Sequence, residues 1–428
     1  MPGAQPHRVH VIGAGLAGLS ASLRLAEAGC KVSLYEGTGH AGGRCRSFFD
    51  EALDRQIDNG NHLLFSGNTS ARGYLRRIGS IDAFHEPAHA TFDFVDLEHD
   101  RRYTLSINDG ILPLWLLNKS RRLPDAGILD HARAFRLLLA GPDQTVADVI
   151  KRRDTVWRGF VEPLTLAAIN TTPEQASARL MRRVLMETFV KGGRMCRPMI
   201  AKQGLGPALI DPALETLAHL GVDVTFNALV RHFEISDNRV QRLIFSGRDD
   251  VSVTDTDSVV VALPPARLAA LLPDLKVPKG ESAILNAHFR VLPILAHNLP
   301  LLLGVLGATT HWIFVRDDVI SLTVSASDAL GVDALSNDDV TALLWAETVK
   351  ALNLPPNAHY LAARIIKEKR ATFLQTPENV RLRAKARTAL KNVFLAGDAT
   401  DTGLPATIEG SIRSGETVSR LVQECRVS

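Results

Sequence analysis

The chain has 428 residues, 46% of them hydrophobic and 22% charged, which is ordinary globular usage in a length that allows two domains and a sizeable core. Its 49 Lys and Arg against 46 Asp and Glu leave a formal charge of +3. That balance excludes a nucleic-acid footprint, and Arg101-Arg102, Arg121-Arg122 and Lys151-Arg152-Arg153 read as solvated faces. Four cysteines far apart, Cys30, Cys45, Cys196 and Cys425, form neither a C-x-x-C pair nor a His-supported zinc spacing, so neither a disulfide scaffold nor a metal site is expected.

Met1 to His7 reads as a short polar leader without the pattern of a signal peptide, and the expected compartment is the cytoplasm. Arg8 to Ile12 is then an apolar strand running into Gly13-Ala14-Gly15-Leu16-Ala17-Gly18 and a helix over Leu19 to Ala28. This is G-x-G-x-x-G in strand–turn–helix context: Gly13 makes the tight turn, Gly15 admits a pyrophosphate to the backbone, and Gly18 lets helix and strand pack. Free N–H groups and the helix dipole there favour an anion. Lys31 to Tyr35 is a second strand. Glu36, 21 residues beyond Gly15, supplies a carboxylate that accepts ribose hydroxyls and repels a 2′-phosphate. Gly39-His40-Ala41-Gly42-Gly43-Arg44 follows at once, a glycine pair and a cationic fork suited to closing over the same pyrophosphate. Cys45 beside it reads as a small buried residue rather than a redox thiol.

Ile57-Asp58-Asn59-Gly60-Asn61-His62-Leu63-Leu64-Phe65 is apolar at both ends around a polar centre, which suits a backbone passing close to a ligand at Gly60 and Asn61. Ile111 to Arg122 sets Leu114-Trp115-Leu116-Leu117 before Lys119, Arg121 and Arg122, a composition shared by membrane-docking segments and buried helices. No stretch reaches the ~20 apolar residues of a spanning helix, so the chain can lie on a membrane but is not expected to cross one. Phe160 to Ile169 reads as a helix stopped by Asn170-Thr171-Thr172-Pro173, with a second helix to Val190 and a third over Pro207 to Leu220. Strands at 222–226, 258–263 and 392–396 join 8–12 and 31–35 in a parallel nucleotide-binding sheet. Arg231 to Ile235 and Arg239 to Phe245 flank Asp237-Asn238 as a hairpin. Strands near 283–291, 319–325 and 359–369 belong to a second unit, in which Leu299 to Phe314 is expected to line a tunnel. Gly304 and Gly307 read as packing, since no second dinucleotide fingerprint accompanies them. Asn392 to Asp398 is a strand ending in Gly397 and an acid, and Thr402 to Ser411 leads into the last helix.

With these residues the chain resembles the FAD-dependent amine oxidase and phytoene desaturase superfamily, in which both chain ends build one flavin site. The resemblance implies an α/β fold with a discontinuous Rossmann-type FAD-binding domain over 1–75, 201–265 and 386–428. It implies a second, α+β substrate-binding domain over 76–200 and 266–385, helices first and strands after. It also implies FAD as cofactor, with Val230 meeting adenine through its backbone, Asp398 on the ribityl or pyrophosphate region, and the helix from Ile408 aimed at the isoalloxazine ring. The loop Asp58-Asn59-Gly60-Asn61-His62 and the segment Arg370-Ala371-Thr372-Phe373 look most like those of the hydroxysqualene dehydroxylases of bacterial hopanoid synthesis. That narrower resemblance implies a polyisoprenoid substrate, contact with enzymes of squalene and hopanoid synthesis, an electron donor that the residues do not identify, and a place on the inner face of the cell membrane.

Turning an allylic C–OH into C–H is a two-electron reduction, and the protein must add a proton for the departing hydroxyl. His62, Asp58 and Glu409 are the candidates. His62 comes first because an imidazole titrates near the working pH, although it could equally hydrogen-bond the flavin edge or a neighbouring carbonyl. Asp58 could instead fix its loop, and Glu409 could cap N–H groups in the first turn of the last helix. A carotenoid-type desaturase would use the same site with the hydride moving the other way. Outside catalysis, the alternative is a flavin-holding carrier of prenyl lipids. Amine oxidation wants an aromatic cage, which 4 Trp and 4 Tyr support poorly.

Overall fold

The computed structural model describes residues 7–151 and 153–427, so the leader residues Met1 to Pro6 and Arg152 of the basic run lie outside the described residues. Five parallel strands form one sheet in the order Asp223–Thr225, Lys31–Tyr35, Arg8–Ile12, Ser258–Val261 and Val393–Leu395. These are the five strands expected, three of them trimmed at their ends. The central strand is buried on both faces, Val9 and Val11 on one and His10 and Ile12 on the other, as a parallel strand covered on both sides must be. The first helix starts earlier than expected, at Leu16 rather than Leu19, and runs to Glu27. The turn needs only Gly13 to Gly15, because the Leu19 N–H already reaches the Gly15 carbonyl at 2.9 Å and closes a helical turn.

The last helix, Ile408–Val427, packs against Leu16–Glu27. Ser20 donates its hydroxyl to the Ile412 carbonyl at 3.0 Å, and a Cβ at Gly415 would strike the Ala17 carbonyl and Ser20. The two chain ends are thus joined by a close helix pair that only a glycine permits. The hairpin Val230–Ser236 and Arg239–Phe245 turns through Asp237 and Asn238, both left-handed at φ 51° and 62°, as a two-residue type I′ turn requires.

A second sheet has seven strands in the order Ala362–Phe373, Glu281–Arg290, Val319–Ser325, Trp312–Arg316, Leu302–Leu306, Ala90–Asp96 and Arg101–Ile107. The region expected to hold helices first therefore opens with a β-hairpin. The alternation of Ala90, Phe92 and Phe94 buries one face of that hairpin against the core. Leu302–Leu306 pairs parallel to Ala90–Asp96, and a Cβ on Gly304 would collide with the Phe94 ring, so this glycine serves packing as expected.

Three helical segments follow the sequence closely. Glu162–Ile169 stops at Asn170, left-handed at φ 50°. The Asn170 side chain then ties the helix end to the second sheet: its Nδ2 donates to the Ser282 carbonyl and the Thr372 hydroxyl, and its Oδ1 accepts from the Ala326 N–H at 2.7 Å. The second helix ends at Glu187 rather than Val190, and the third is regular only over Asp211–His219, after a wider turn over Gly206–Ile210. In the 111–122 segment, Trp115 and Leu116 are core residues, 7% and 5% exposed, with the Trp115 ring edge-on to His131. The tryptophan is therefore no membrane anchor. Ile111, Leu112, Leu114 and Leu117 around it are exposed.

Candidate active site

Both sheets border one cavity of about 1320 Å³, more than the roughly 300–1,000 Å³ that usually holds a single small ligand. Its walls are of two kinds. One is built from backbone: Gly13, Gly15, Ala17, Gly42, Gly43 and Gly397, with Glu36, Arg44, Val230, Asp398 and Ile408 among them. The other is aliphatic and aromatic, from Phe65, Phe92, Phe94, Phe160, Trp312 and Phe373.

The glycine wall has the shape a diphosphate requires. Gly13 sits at φ +101° with the Ala262 carbonyl where a Cβ would go, and Gly18 has the Gly13 carbonyl in that place, so neither tolerates a side chain. Gly18 packs helix on strand and does not line the cavity. Gly15 differs. Its φ of −75° suits any residue and nothing lies within 4 Å of a Cβ built on it, so it is the cavity, and not the fold, that requires this glycine. The helix that starts there has no side-chain cap on its first N–H groups, which is the arrangement that binds an anion. Glu36, at the cavity edge, accepts from the N–H groups of Ala14 and Thr38, both at 2.9 Å, and so also braces the turn.

Arg44 reaches the other chain end. Its guanidinium donates to Asp398 at 2.5 Å and to the Ala371 carbonyl at 2.6 Å, and the buried carboxylate beside it raises the pKa of Arg44, so the guanidinium holds its charge more firmly than that of an isolated arginine. The Ser411 hydroxyl, one turn into the last helix, lies 3.4 Å from Asp398. Cys45 is buried and its thiol is pushed up to about 12 by desolvation, which makes it inert.

The three proton-donor candidates fare differently. Asp58 does not line the cavity: its carboxylate accepts from the Ser47 hydroxyl, the Leu205 N–H at 2.8 Å and Arg316 at 3.0 Å. Glu409 is 3% exposed and accepts from the N–H groups of Ser70 and Ala71 and from Arg413. It caps a helix, but the neighbouring Thr69–Arg77 rather than its own, because Asn68 at that helix's start spends its Oδ1 on the Phe65 N–H instead. His62 is half-buried on the cavity wall, with Nδ1 3.0 Å from the Gly60 carbonyl. A carbonyl only accepts, so Nδ1 carries the proton and Nε2 is the nitrogen left for exchange. Desolvation lowers the pKa of His62 from 6.5.

Sequence reasoning passed over one further set. Asn286, fully buried in the strand Glu281–Arg290, lines the cavity beside Gly60. Thr323 donates to its Oδ1 at 2.9 Å, and Asn61 donates to the Thr323 hydroxyl at 3.1 Å. The signal was present in Ala283-Ile284-Leu285-Asn286-Ala287, where an amide interrupts an apolar run.

Gly15→Val should fold yet fail to hold a dinucleotide, because its backbone is compatible with valine while the added side chain fills the anion's place. Purified variant with a native circular dichroism spectrum and no visible flavin absorbance is the expected result; full yellow colour would refute the placement.

The family model for flavin-containing amine oxidoreductases matches residues 16–423. A hydroxysqualene dehydroxylase from Rhodopseudomonas palustris is 44% identical over 97% of this chain and 98% of its own. A 15-cis-phytoene desaturase from Synechococcus elongatus is only 24% identical over 97% of this chain and 95% of its own. Among solved structures, wild-type putrescine oxidase bound to putrescine superposes with a TM-score of 0.71 at 16% identity, covering 99% of each chain, a likeness of fold. The chain belongs to the flavin-containing amine oxidoreductases and, within them, to the hydroxysqualene dehydroxylase family.

Proposed function

We propose that this protein is an FAD-dependent enzyme that reduces hydroxysqualene to squalene. The observation that carries the reading is a single cavity in which a dinucleotide cradle adjoins a long apolar wall. Gly13, Gly15, Gly42 and Gly43 would hold the pyrophosphate, Glu36 the ribose and Val230 the adenine, with Gly397, Asp398 and Ile408 closing the site from the far end of the chain. The segments 1–75, 201–265 and 386–428 then act as the FAD-binding domain and the remainder as the substrate-binding domain. Reduced flavin supplies the hydride when bound. The protein's own part is to exclude water, to orient the allylic alcohol and to protonate the departing hydroxyl. Asp58 and Glu409, with every carboxylate oxygen engaged by protein donors, serve as positioning groups. His62 is the proton donor, its ring fixed through Nδ1 by Gly60 and its Nε2 left for the transfer.

A C30 hydrocarbon has almost no free concentration in water, since each buried methylene is worth about 0.8 kcal/mol, so the substrate must be collected from lipid. Among the described residues no helix is long and apolar enough to cross a membrane, and a peripheral position on the inner membrane face fits the reading. The docking surface is formed by the exposed Leu112, Leu117, Leu129 and Leu139, with Lys119, Arg121 and Arg122 beside the first two. A small apolar pocket walled by Trp115, His131 and Phe135 adjoins these segments and shares Leu105, Phe160 and Phe189 with the main cavity.

Photoreduced protein mixed anaerobically with hydroxysqualene should reoxidise its flavin and yield squalene in equal amount. Flavin that stays reduced while the lipid remains bound would support the carrier reading instead.

A step that needs His62 protonated runs fully at low pH and is lost as pH rises through a pKa lying below 6.5, the direction in which burial moves this group. His62→Ala should slow it by about 10²–10⁴-fold and flatten that pH profile while flavin binding is kept. An unchanged profile in the variant moves the proton to another donor.

On liposomes, a Leu112→Ser, Leu117→Ser variant should keep its flavin and float poorly with anionic vesicles compared with the parent protein. Equal flotation would place the docking surface elsewhere.

A further inference from the structure

We propose that Asn286 is the group that recognises the substrate's hydroxyl, and that Thr323 and Asn61 orient it for this. The inference rests on the dehydroxylation reading and adds a residue to which no part of that reading assigns a role.

A long hydrocarbon is held by non-directional apolar burial, which cannot tell one carbon of the chain from the next. Something polar must mark where the C–OH bond stops. The apolar wall of the cavity is interrupted at Asn286, whose residue is fully buried yet faces the cavity beside Gly60. Burying an amide in such a place is unfavourable unless its hydrogen-bonding capacity is used.

The orientation of the amide follows from its partners. Asn61 Nδ2 can only donate, so the Thr323 hydroxyl accepts from it at 3.1 Å and must pass its own proton on to Asn286 at 2.9 Å. The receiving atom is therefore Oδ1, and a flipped amide would set two donors against each other. That leaves Nδ2 on the Gly60 side, where it would lie 3.3 Å from a Cβ built on that glycine. Nδ2 carries two N–H groups. One is directed to the Asn59 carbonyl, at a long 3.4 Å. The other is available to a ligand oxygen. Gly60 is also the residue whose carbonyl fixes His62, and the His62 ring lies 3.8 Å from the same point in space. A hydroxyl oxygen accepting from Asn286 is thus held in the neighbourhood of the proposed proton donor. The absence of a side chain at Gly60 keeps the two groups from being separated by a methyl.

The arrangement predicts preference for alcohol over hydrocarbon before any chemistry occurs. In the oxidised holoenzyme, which has no hydride to give, the C30 allylic alcohol should bind about tenfold or more tighter than squalene. Binding is read by quenching of tryptophan fluorescence, since Trp312 lines the cavity. Asn286→Leu should bring the two dissociation constants to within about threefold, by weakening alcohol binding and by tightening squalene binding, which no longer leaves an amide unmatched. Thr323→Val keeps the amide but removes the proton that orients it, and should lower the ratio by about threefold or more; it carries the test if the leucine variant fails to fold. A parental ratio retained in a folded Asn286→Leu protein, or in Thr323→Val where that variant alone folds, overturns the assignment. So does a parent protein that binds both lipids equally. In that last case, turnover of hydroxysqualene under anaerobic conditions still decides the reaction separately, so failure of this inference and failure of the dehydroxylation reading are distinguishable.

Discussion

One guanidinium joins three parts of the chain that are remote in sequence. Arg44, in the glycine loop, bonds to Asp398 at the end of the parallel sheet and to the Ala371 carbonyl on the edge strand of the second sheet. The Asp398 carboxylate is 5% exposed, so removal of the arginine would strand a buried charge, a far larger penalty than the loss of a surface pair. The fork geometry of arginine matters here, because a lysine ammonium could not address a carboxylate and a carbonyl in fixed directions. The cavity exists only where these three segments meet. The helix pair at Gly415 brings the chain ends close enough for the meeting to occur.

The loop 57–65 is held in a comparable way from both sides. Asp58 is anchored to Ser47, Leu205 and Arg316, Asn59 to Glu368, and Asn61 to Thr323. Asp58 turns away from the cavity into this support, and Asn59 to Phe65 line the cavity wall after it. His62 inherits its position from that scaffold. A proton donor on a loop otherwise free to move would lose the alignment that general acid catalysis depends on.

What the sequence disclosed was local. The glycine turn, Glu36, the Asp237-Asn238 turn and the Asn170 helix stop are each dictated by backbone geometry within a few residues, and the parallel strands by runs of apolar residues long enough to stand out. The partnerships were not legible, since they depend on which segments the fold brings together. Glu409 was readable as a helix cap, but that it caps Thr69–Arg77 depends on Asn68 being engaged elsewhere. Arg44 was readable as a cation near phosphate, while its hold on Ala371 depends on the fold setting the edge strand that carries Arg370 to Phe373 beside it. Around Trp115, composition could not decide which of several adjacent apolar residues turn inward. Trp115 went inward with Leu116, against Leu105 and His131, and Leu112, Leu114 and Leu117 were left exposed.

The division of labour in the cavity follows from the energetics of a long apolar ligand. Burial at about 25 cal/mol per Å² makes the hydrocarbon bind, but sliding it by one isoprene unit changes that area little, so register is almost free along the apolar wall. A neutral hydrogen bond contributes only about 1 kcal/mol net, yet it is the one contact that changes with register. A buried amide beside the apolar wall, as proposed for Asn286, would convert this small energy into positional choice. Leaving the amide's N–H unmatched costs more than the bond gains, so wrong registers are penalised as well as the right one favoured. The same desolvation that makes this penalty effective also lowers the pKa of His62. If His62 is the proton donor as proposed, fewer imidazolium groups are then present near neutral pH, and each is a stronger acid toward the departing hydroxyl.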